Sequence, residues 1–218
     1  MRYGWVMSDS GIGLREIKKQ MTRESIADAA LHLALEKGLD DVTIEEIAQL
    51  AFVSPRTFSN YFSCKEEAVA TAGTQHNHEL LDELAARPSE EAPLDSLATI
   101  MVEAVRNRSD EELAKTASKL RLSLEHPSLR AFQTAQYDAL EVGLREVLAA
   151  RMGRSLDDDL YPWLVTSVAI AAVKSATALW LRSGAGRDRL TELVTAAFDQ
   201  VGEGLPALAP AAATAGKG

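Results

Sequence analysis

A chain of 218 residues with 46% hydrophobic and 25% charged residues has the composition of a soluble globular protein, one sizeable domain or two modest ones. A single cysteine, Cys64, excludes an internal disulfide and fits a reducing cytosol, so a cytoplasmic protein is expected. The net charge of −9 argues against a uniformly basic binder, but residues 1–65 hold 8 Lys/Arg against 9 Asp/Glu, whereas residues 66–218 hold 15 against 23. The acidity lies in the second part, and Arg15, Lys18, Lys19 and Arg23 form a local basic cluster in the first.

Residues 1–13 contain no apolar run long enough for a signal peptide and read as a disordered leader. From Leu14 to Lys37, the positions Ile17, Met21, Ile26, Ala30, Leu33 and Ala34 recur at helical spacing, and Gly38 follows as a C-cap. Thr43-Ile44-Glu45-Glu46 is a capping box: the Thr43 hydroxyl meets an orphan amide and Glu46 reaches back. It opens a short helix through Ala51. Ser54 as N-cap and Pro55 at the first helical position open a second, running to about Phe62. Ser63-Cys64-Lys65-Glu66 reads as another capping box, starting a long helix from Cys64 to about Arg87. Two freshly capped short helices in succession are the signature of a helix-turn-helix.

Beyond Pro88 and Pro93 the pattern predicts helices over 94–107, 110–125, 128–152, 159–183 and 188–202, and no strand-like alternation. The tail 205–218, rich in Ala, Pro and Gly, reads as disordered. The expected fold is all-α: a three-helix helix-turn-helix domain over 14–65 and a helical ligand-binding and dimerisation domain over 66–204. The apolar run Trp163–Leu181 is long enough to raise a membrane span. Lys174 and the hydroxyls of Thr166, Ser167, Ser175 and Thr177 favour a buried core helix, so no membrane partner is expected.

Within the helix-turn-helix, Ala48 is small enough for the short helices to cross closely, and Ile44, Ile47, Val53 and Phe58 supply a shared core. The outer face of the second helix offers Arg56, Thr57, Asn60 and Tyr61. An arginine forks onto guanine O6 and N7, an asparagine pairs with an adenine edge or meets a phosphate, and a threonine methyl touches thymine. Lys65 stands in the first turn of the next helix, where a cation opposes the macrodipole and a bound phosphate would reverse the penalty. Thr43 and Tyr61 are further phosphate candidates, contacts that position without reading sequence. Thr43 and Ser54 cap helices with or without DNA, and Tyr61 also suits core packing.

The run Thr43–Glu67, with Ile26-Ala27-Asp28-Ala29-Ala30, Leu33 and Glu36-Lys37-Gly38 before it, resembles the DNA-binding signature of the tetracycline-repressor family. The resemblance implies double-stranded operator DNA as partner, with Thr43, Ser54, Pro55, Arg56, Thr57, Asn60, Tyr61 and Lys65 at the interface. It also implies a homodimer through the last two helices and release by a small effector, repression being the family default. One departure stands out: family members often have glycine in the turn where this chain has Phe52. If that position takes a positive φ, the side chain costs about 1 kcal/mol.

The other constellations are weaker. His76 and His78 point to different sides of a helix, and His32 and His126 lack ligand-like neighbours, so no metal is expected. Cys64 beside Lys65 reads as a buried thiol, a redox sensor being the alternative. No nucleophile–base pair or glycine-rich phosphate loop is visible, so neither catalysis nor a cofactor is expected. An enzyme or carrier on a helical bundle, and a constitutive architectural DNA binder, remain the competing readings. In the second domain Met101, Phe132, Gln136, Tyr137, Trp163 and Thr177 are the candidate lining of a largely apolar pocket. Such a pocket suits an acyl chain, a lipophilic drug or a related metabolite.

Overall fold

The computed structural model describes residues 13–74, 76–184 and 186–205; the expectations for the leader before Gly13 and the tail after Leu205 lie outside them. The described residues form helices and no strand, as the composition implies. In chain order these are α1 (Leu14–Lys37), α2 (Ile44–Leu50), α3 (Pro55–Tyr61), α4 (Lys65–Thr71), α5 (His76–Ala86), α6 (Pro93–Arg106), α7 (Asp110–Glu125), α8 (Pro127–Met152), α9 (Leu160–Ser183) and α10 (Arg187–Gly202). The five C-terminal helices end within a residue or so of the positions that proline, glycine and capping residues predict.

The long helix expected from Cys64 to Arg87 is two helices. Gly73 takes φ +77, a left-handed conformation only glycine enters freely, and α4 ends at Thr71. The Thr74 amide and hydroxyl both donate to the Thr71 carbonyl, which closes the turn. The capping box at the start of α4 is also displaced by one residue. Glu67, not Glu66, accepts from the Ser63 amide at 2.8 Å and the Ser63 hydroxyl at 2.7 Å, and Cys64 is an N-cap without a side-chain bond.

The chain divides into two compact units. The first joins the described residues before 76 to Lys115–Gln136; the second joins His76–Ala114 to the chain from Tyr137 onward. The sequence division at residue 65 therefore differs from the division by packing, because the C-terminal half of α7 and the first third of α8 add apolar surface to the first unit. Leu129 is fully buried in its core with Ile26, Ala30, Ile47, Phe58, Phe62 and Val69, and Leu122 and Phe132 pack against it.

In the second unit α10 packs most heavily on α9 and α6. The buried side chains are Leu97, Ile100 and Met101 of α6, Leu144 and Leu148 of α8, Ala169, Ala176 and Trp180 of α9, and Val194 and Phe198 of α10. Trp180 Nε1 donates to the Gly186 carbonyl at 3.1 Å and fixes the turn into α10. Helix α9 is long and apolar enough to cross a membrane, but its buried face is one wall of this core. Its other face leaves Leu160, Leu164 and Leu179 at least half exposed.

Candidate nucleic-acid interface

Each short helix of the first unit is held at its N-terminus by its own side chains. The Thr43 hydroxyl accepts from the Glu46 amide at 3.3 Å, and Glu46 Oε2 accepts from the Thr43 amide at 2.9 Å, a complete capping box. Glu46 also pairs with Lys37 at 2.6 Å; the Lys37 ammonium and the Thr43 donors hold its carboxyl down at about 2. At α3 the Ser54 hydroxyl accepts from the Thr57 amide at 3.0 Å and lies 2.8 Å from the Thr57 hydroxyl. The Thr57 amide and hydroxyl are therefore both engaged at the cap.

The turn between α2 and α3 has Schellman geometry. The Val53 amide donates to the Ala48 carbonyl at 2.9 Å and the Phe52 amide to the Gln49 carbonyl at 3.2 Å. That motif requires a left-handed residue at Phe52, and Phe52 has φ +56. Its ring is 95% exposed, so no packing offsets the cost of about 1 kcal/mol for a side chain in this region.

Phe58, fully buried in α3, anchors that helix to the core, which turns Pro55, Arg56, Ser59 and Asn60 outward to solvent. Arg56, Pro55 and Ser59 share an open groove with Ile44 and Glu45 of α2 and with Ser63, Cys64, Lys65 and Glu66 at the start of α4. The structure thus brings Arg56 and Lys65 to one concavity, with Thr43 exposed at the start of α2. Tyr61 is half-buried and packs on the core as well as reaching the surface. Burial raises the Cys64 thiol above its ordinary pKa, away from the thiolate a redox sensor would use.

Lys65 is held in a way the sequence did not signal. Its ammonium donates to the carbonyls of Asp40 and Val42, each at 2.9 Å, closing the turn before α2. Those carbonyls explain a cation in the first turn of a helix without any phosphate. Arg23 was visible only as part of a basic cluster. Its Nη1 donates to the Tyr61 carbonyl at 3.0 Å, and its guanidinium lies 4.5 Å from the Phe62 ring centroid.

The six pocket candidates do not come together. Phe132 packs against the core of the first unit, and Gln136 Nε2 lies 3.4 Å from the Thr71 hydroxyl there; both therefore leave the expected pocket. The cause is the length of α8, whose first residues serve one unit and whose last serve the other. Met101 is buried in the second unit, Thr177 is half-buried, and Trp163 is 44% exposed with the Arg145 guanidinium 3.7 Å above its ring. Tyr137 is also in the second unit, with Lys174 Nζ 5.5 Å from its ring; burial raises its phenol pKa and Arg108 opposes the rise. A cavity of about 200 Å³ in that unit is lined instead by His76, Glu79, Leu80, Glu83, Ala104, Asn107, Arg108 and Glu112. Charged and polar residues predominate in that lining, although Leu80, Ala104 and side-chain stems contribute apolar surface to it. Among these lining residues His76 lies 2.8 Å from Glu79 through Nδ1 and 3.5 Å from Glu112 through Nε2. No metal-holding cluster of His, Cys, Asp and Glu occurs among the described residues.

A capped helix pair with a solvent-facing second helix, followed by a separate helical unit, defines a helix-turn-helix transcriptional regulator. The family model of bacterial regulatory proteins of the tetR family matches residues 26–70, and the MftR C-terminal domain model matches residues 91–206. The regulator TcmR of Streptomyces glaucescens is 31% identical over 88% of this chain and 88% of its own. The putative mycofactocin biosynthesis regulator MftR of Mycobacterium tuberculosis is 29% identical over 92% and 98%. The chain belongs to the tetR family of transcriptional regulators and is not an enzyme. Its fold is that of Thermus thermophilus FadR, solved with lauroyl-CoA (TM-score 0.54, 24% identity, covering 87% of this chain and 98% of that one). SmeT of Stenotrophomonas maltophilia, repressor of a multidrug efflux pump, is similar in fold (TM-score 0.56, 20% identity, 86% and 97% covered).

Proposed function

We propose that the chain is a repressor that binds a pseudo-palindromic operator as a homodimer and is released by a small molecule. The observation that carries the reading is α3: anchored by buried Phe58, capped by Ser54, and turning Arg56 and Asn60 outward. Arg56 and Asn60 read base edges, the Thr57 methyl adds an apolar contact, and Thr43, Ser54, Pro55, Tyr61 and the remaining donor of Lys65 seat the unit on phosphates. One seven-residue helix makes too few contacts for tight selectivity, and two-fold symmetry doubles them. The outward apolar face of α9, with Leu160, Leu164 and Leu179, supports a second copy as its cover, because exposed patches of this kind mark association sites.

The effector belongs to the second unit, where Met101, Tyr137, Trp163 and Thr177 remain candidate contacts and the cavity beside Arg108 offers polar ones. Release does not run through one continuous helix, because α4 ends at Thr71. The last carbonyls of α4 are instead held by buried Lys119 of α7, which donates to Ala70 at 3.2 Å and also to Ala72, with Gln136 of α8 alongside at Thr71. Since α7 and α8 contribute to both units, a ligand that favours one arrangement of these helices biases how α4 is held, by its differential affinity for the two states.

Footprinting of the purified protein on genomic fragments tests this reading. Two protected half-sites about 34–36 Å apart, or a multiple of that, are expected. Small molecules that bind the protein are expected to abolish both together. A single half-site protected by a monomer, or binding without sequence preference at any salt, would overturn it.

A further inference from the structure

Helix α3 is well capped at its start and poorly provided for at its end. It is seven residues long, has no basic residue in its last turn, and passes into an extended Phe62 (φ −138, ψ 140), not a glycine cap. The Phe62 amide still donates to the Phe58 carbonyl at 3.0 Å, but no glycine cap or basic residue of α3 serves the carbonyls beyond it, and the negative end of the helix dipole is uncompensated from within. The compensation comes from 38 residues upstream: Arg23 of α1 donates to the Tyr61 carbonyl at 3.0 Å. The same guanidinium lies 4.5 Å from the Phe62 ring centroid, and Phe62 is buried 5.8 Å from Phe58. One planar cation thus engages two consecutive residues at the end of α3, one by a charge-assisted hydrogen bond and one by its π face.

We infer that Arg23 is a positioning residue for DNA reading: it sets the pitch of α3, and so the aim of Arg56 and Asn60, without itself contacting a base. The inference rests on the proposal that α3 reads the operator. A lysine in its place keeps the charge and one donor but loses the flat fork that bonds the carbonyl while lying over the ring. Tyr61, a phosphate candidate, is held by the same bond through its own carbonyl, so Arg23 governs both the reading face and its seat on the backbone.

The test uses the full chain and three variants, Arg23→Met, Arg23→Lys and Arg56→Ala, each titrated on operator and on scrambled duplex across a salt series below its melting temperature. Amide hydrogen exchange over Phe58–Phe62 is followed without DNA. For Arg23→Met the account expects about tenfold weaker operator binding, an almost unchanged affinity for scrambled duplex, and the wild-type salt slope. Exchange at the end of α3 rises in parallel. Arg23→Lys falls between, and it carries the test if the methionine variant does not fold. Equal loss on both duplexes with a salt slope smaller by about 0.9 would make Arg23 a phosphate contact and overturn the inference. Wild-type discrimination in Arg23→Lys together with wild-type exchange would overturn it as well. If Arg56→Ala leaves discrimination intact, the reading of α3 itself has failed, an outcome separate from any result at Arg23.

Discussion

The two units spend their polar side chains differently. In the first, Thr43, Ser54, Ser63, Arg23 and Lys119 serve helix ends and Lys65 closes the turn before α2, and the result is a short helix α3 fixed at both termini. In the second, partly or fully buried arginines and their carboxylate partners tie helices side to side. Arg145 bonds Glu141, which also accepts from Ser167, and Arg151 bonds the Pro88 carbonyl and Ser96. Of the five buried polar side-chain atoms without a partner among the described residues, four, on Arg145, Arg151 and Arg187, lie in the second unit, and one, Gln133 Oε1, lies in the first. A unit that must present one surface is over-determined. A unit proposed to accommodate a ligand and a second copy keeps apolar faces and polar atoms unspent, a pattern consistent with small differences between alternative packings.

The largest expected effect breaks the comparison if it fails. Phe58→Ala removes a fully buried ring at the centre of the first core and should cost about 3–5 kcal/mol. DNA binding should vanish while hydrogen-exchange protection persists in α9 and α10; loss of protection in both units together would show that they do not behave separately. On the second unit, Leu164→Lys with Leu179→Lys places two charges on the open face of α9. Sedimentation at micromolar concentration should then show monomer where wild type shows dimer, with the melting temperature of the first unit unchanged.

A smaller effect of opposite sign is expected at the turn. Phe52→Gly removes a side chain from a left-handed position that gives it no packing, so the first unit should gain about 1 kcal/mol in denaturant unfolding. A loss would mean that the ring stabilises something beyond the strain it causes. The least effect concerns acid. Glu46 is held at about 2 against an ordinary 4.5, so the folded state binds its proton less readily than the unfolded state does. Its contribution is complete above pH 4.5 and fades as pH falls towards 2. Glu46→Gln should remove that contribution at neutral pH, a small loss for an exposed group, and converge on wild type as pH falls towards 2, so that the acid limb of the first unit's stability flattens in that window.

The DNA-facing unit was legible because its determinants are local. Thr43 with Glu46, Ser54 with Pro55, and Gly38 act over three or four residues, and sequence spacing is enough to read them. Even the strain at Phe52 follows from a turn type that its neighbours impose. Arg23 and Lys65 escaped because their partners lie 38 and about 25 residues away and are carbonyls, which every residue owns. The break at Gly73 was readable in principle, since one glycine inside a helical pattern offers the left-handed φ at which a helix stops. In the second unit helix boundaries were legible and pocket residues were not. Periodicity assigns Phe132 an inward face without saying which core it faces, and α8 serves two.

The central claim is that the outer face of α3 reads the operator. Measuring Arg56→Ala against wild type on the operator, on single-base variants of it and on scrambled duplex at one salt concentration tests it most directly. The account predicts a loss of about 1–3 kcal/mol that disappears when one particular base pair is changed, with scrambled-duplex affinity nearly preserved. An equal loss on every sequence would contradict it, leaving Arg56 a phosphate contact and α3 a helix that seats the protein without reading.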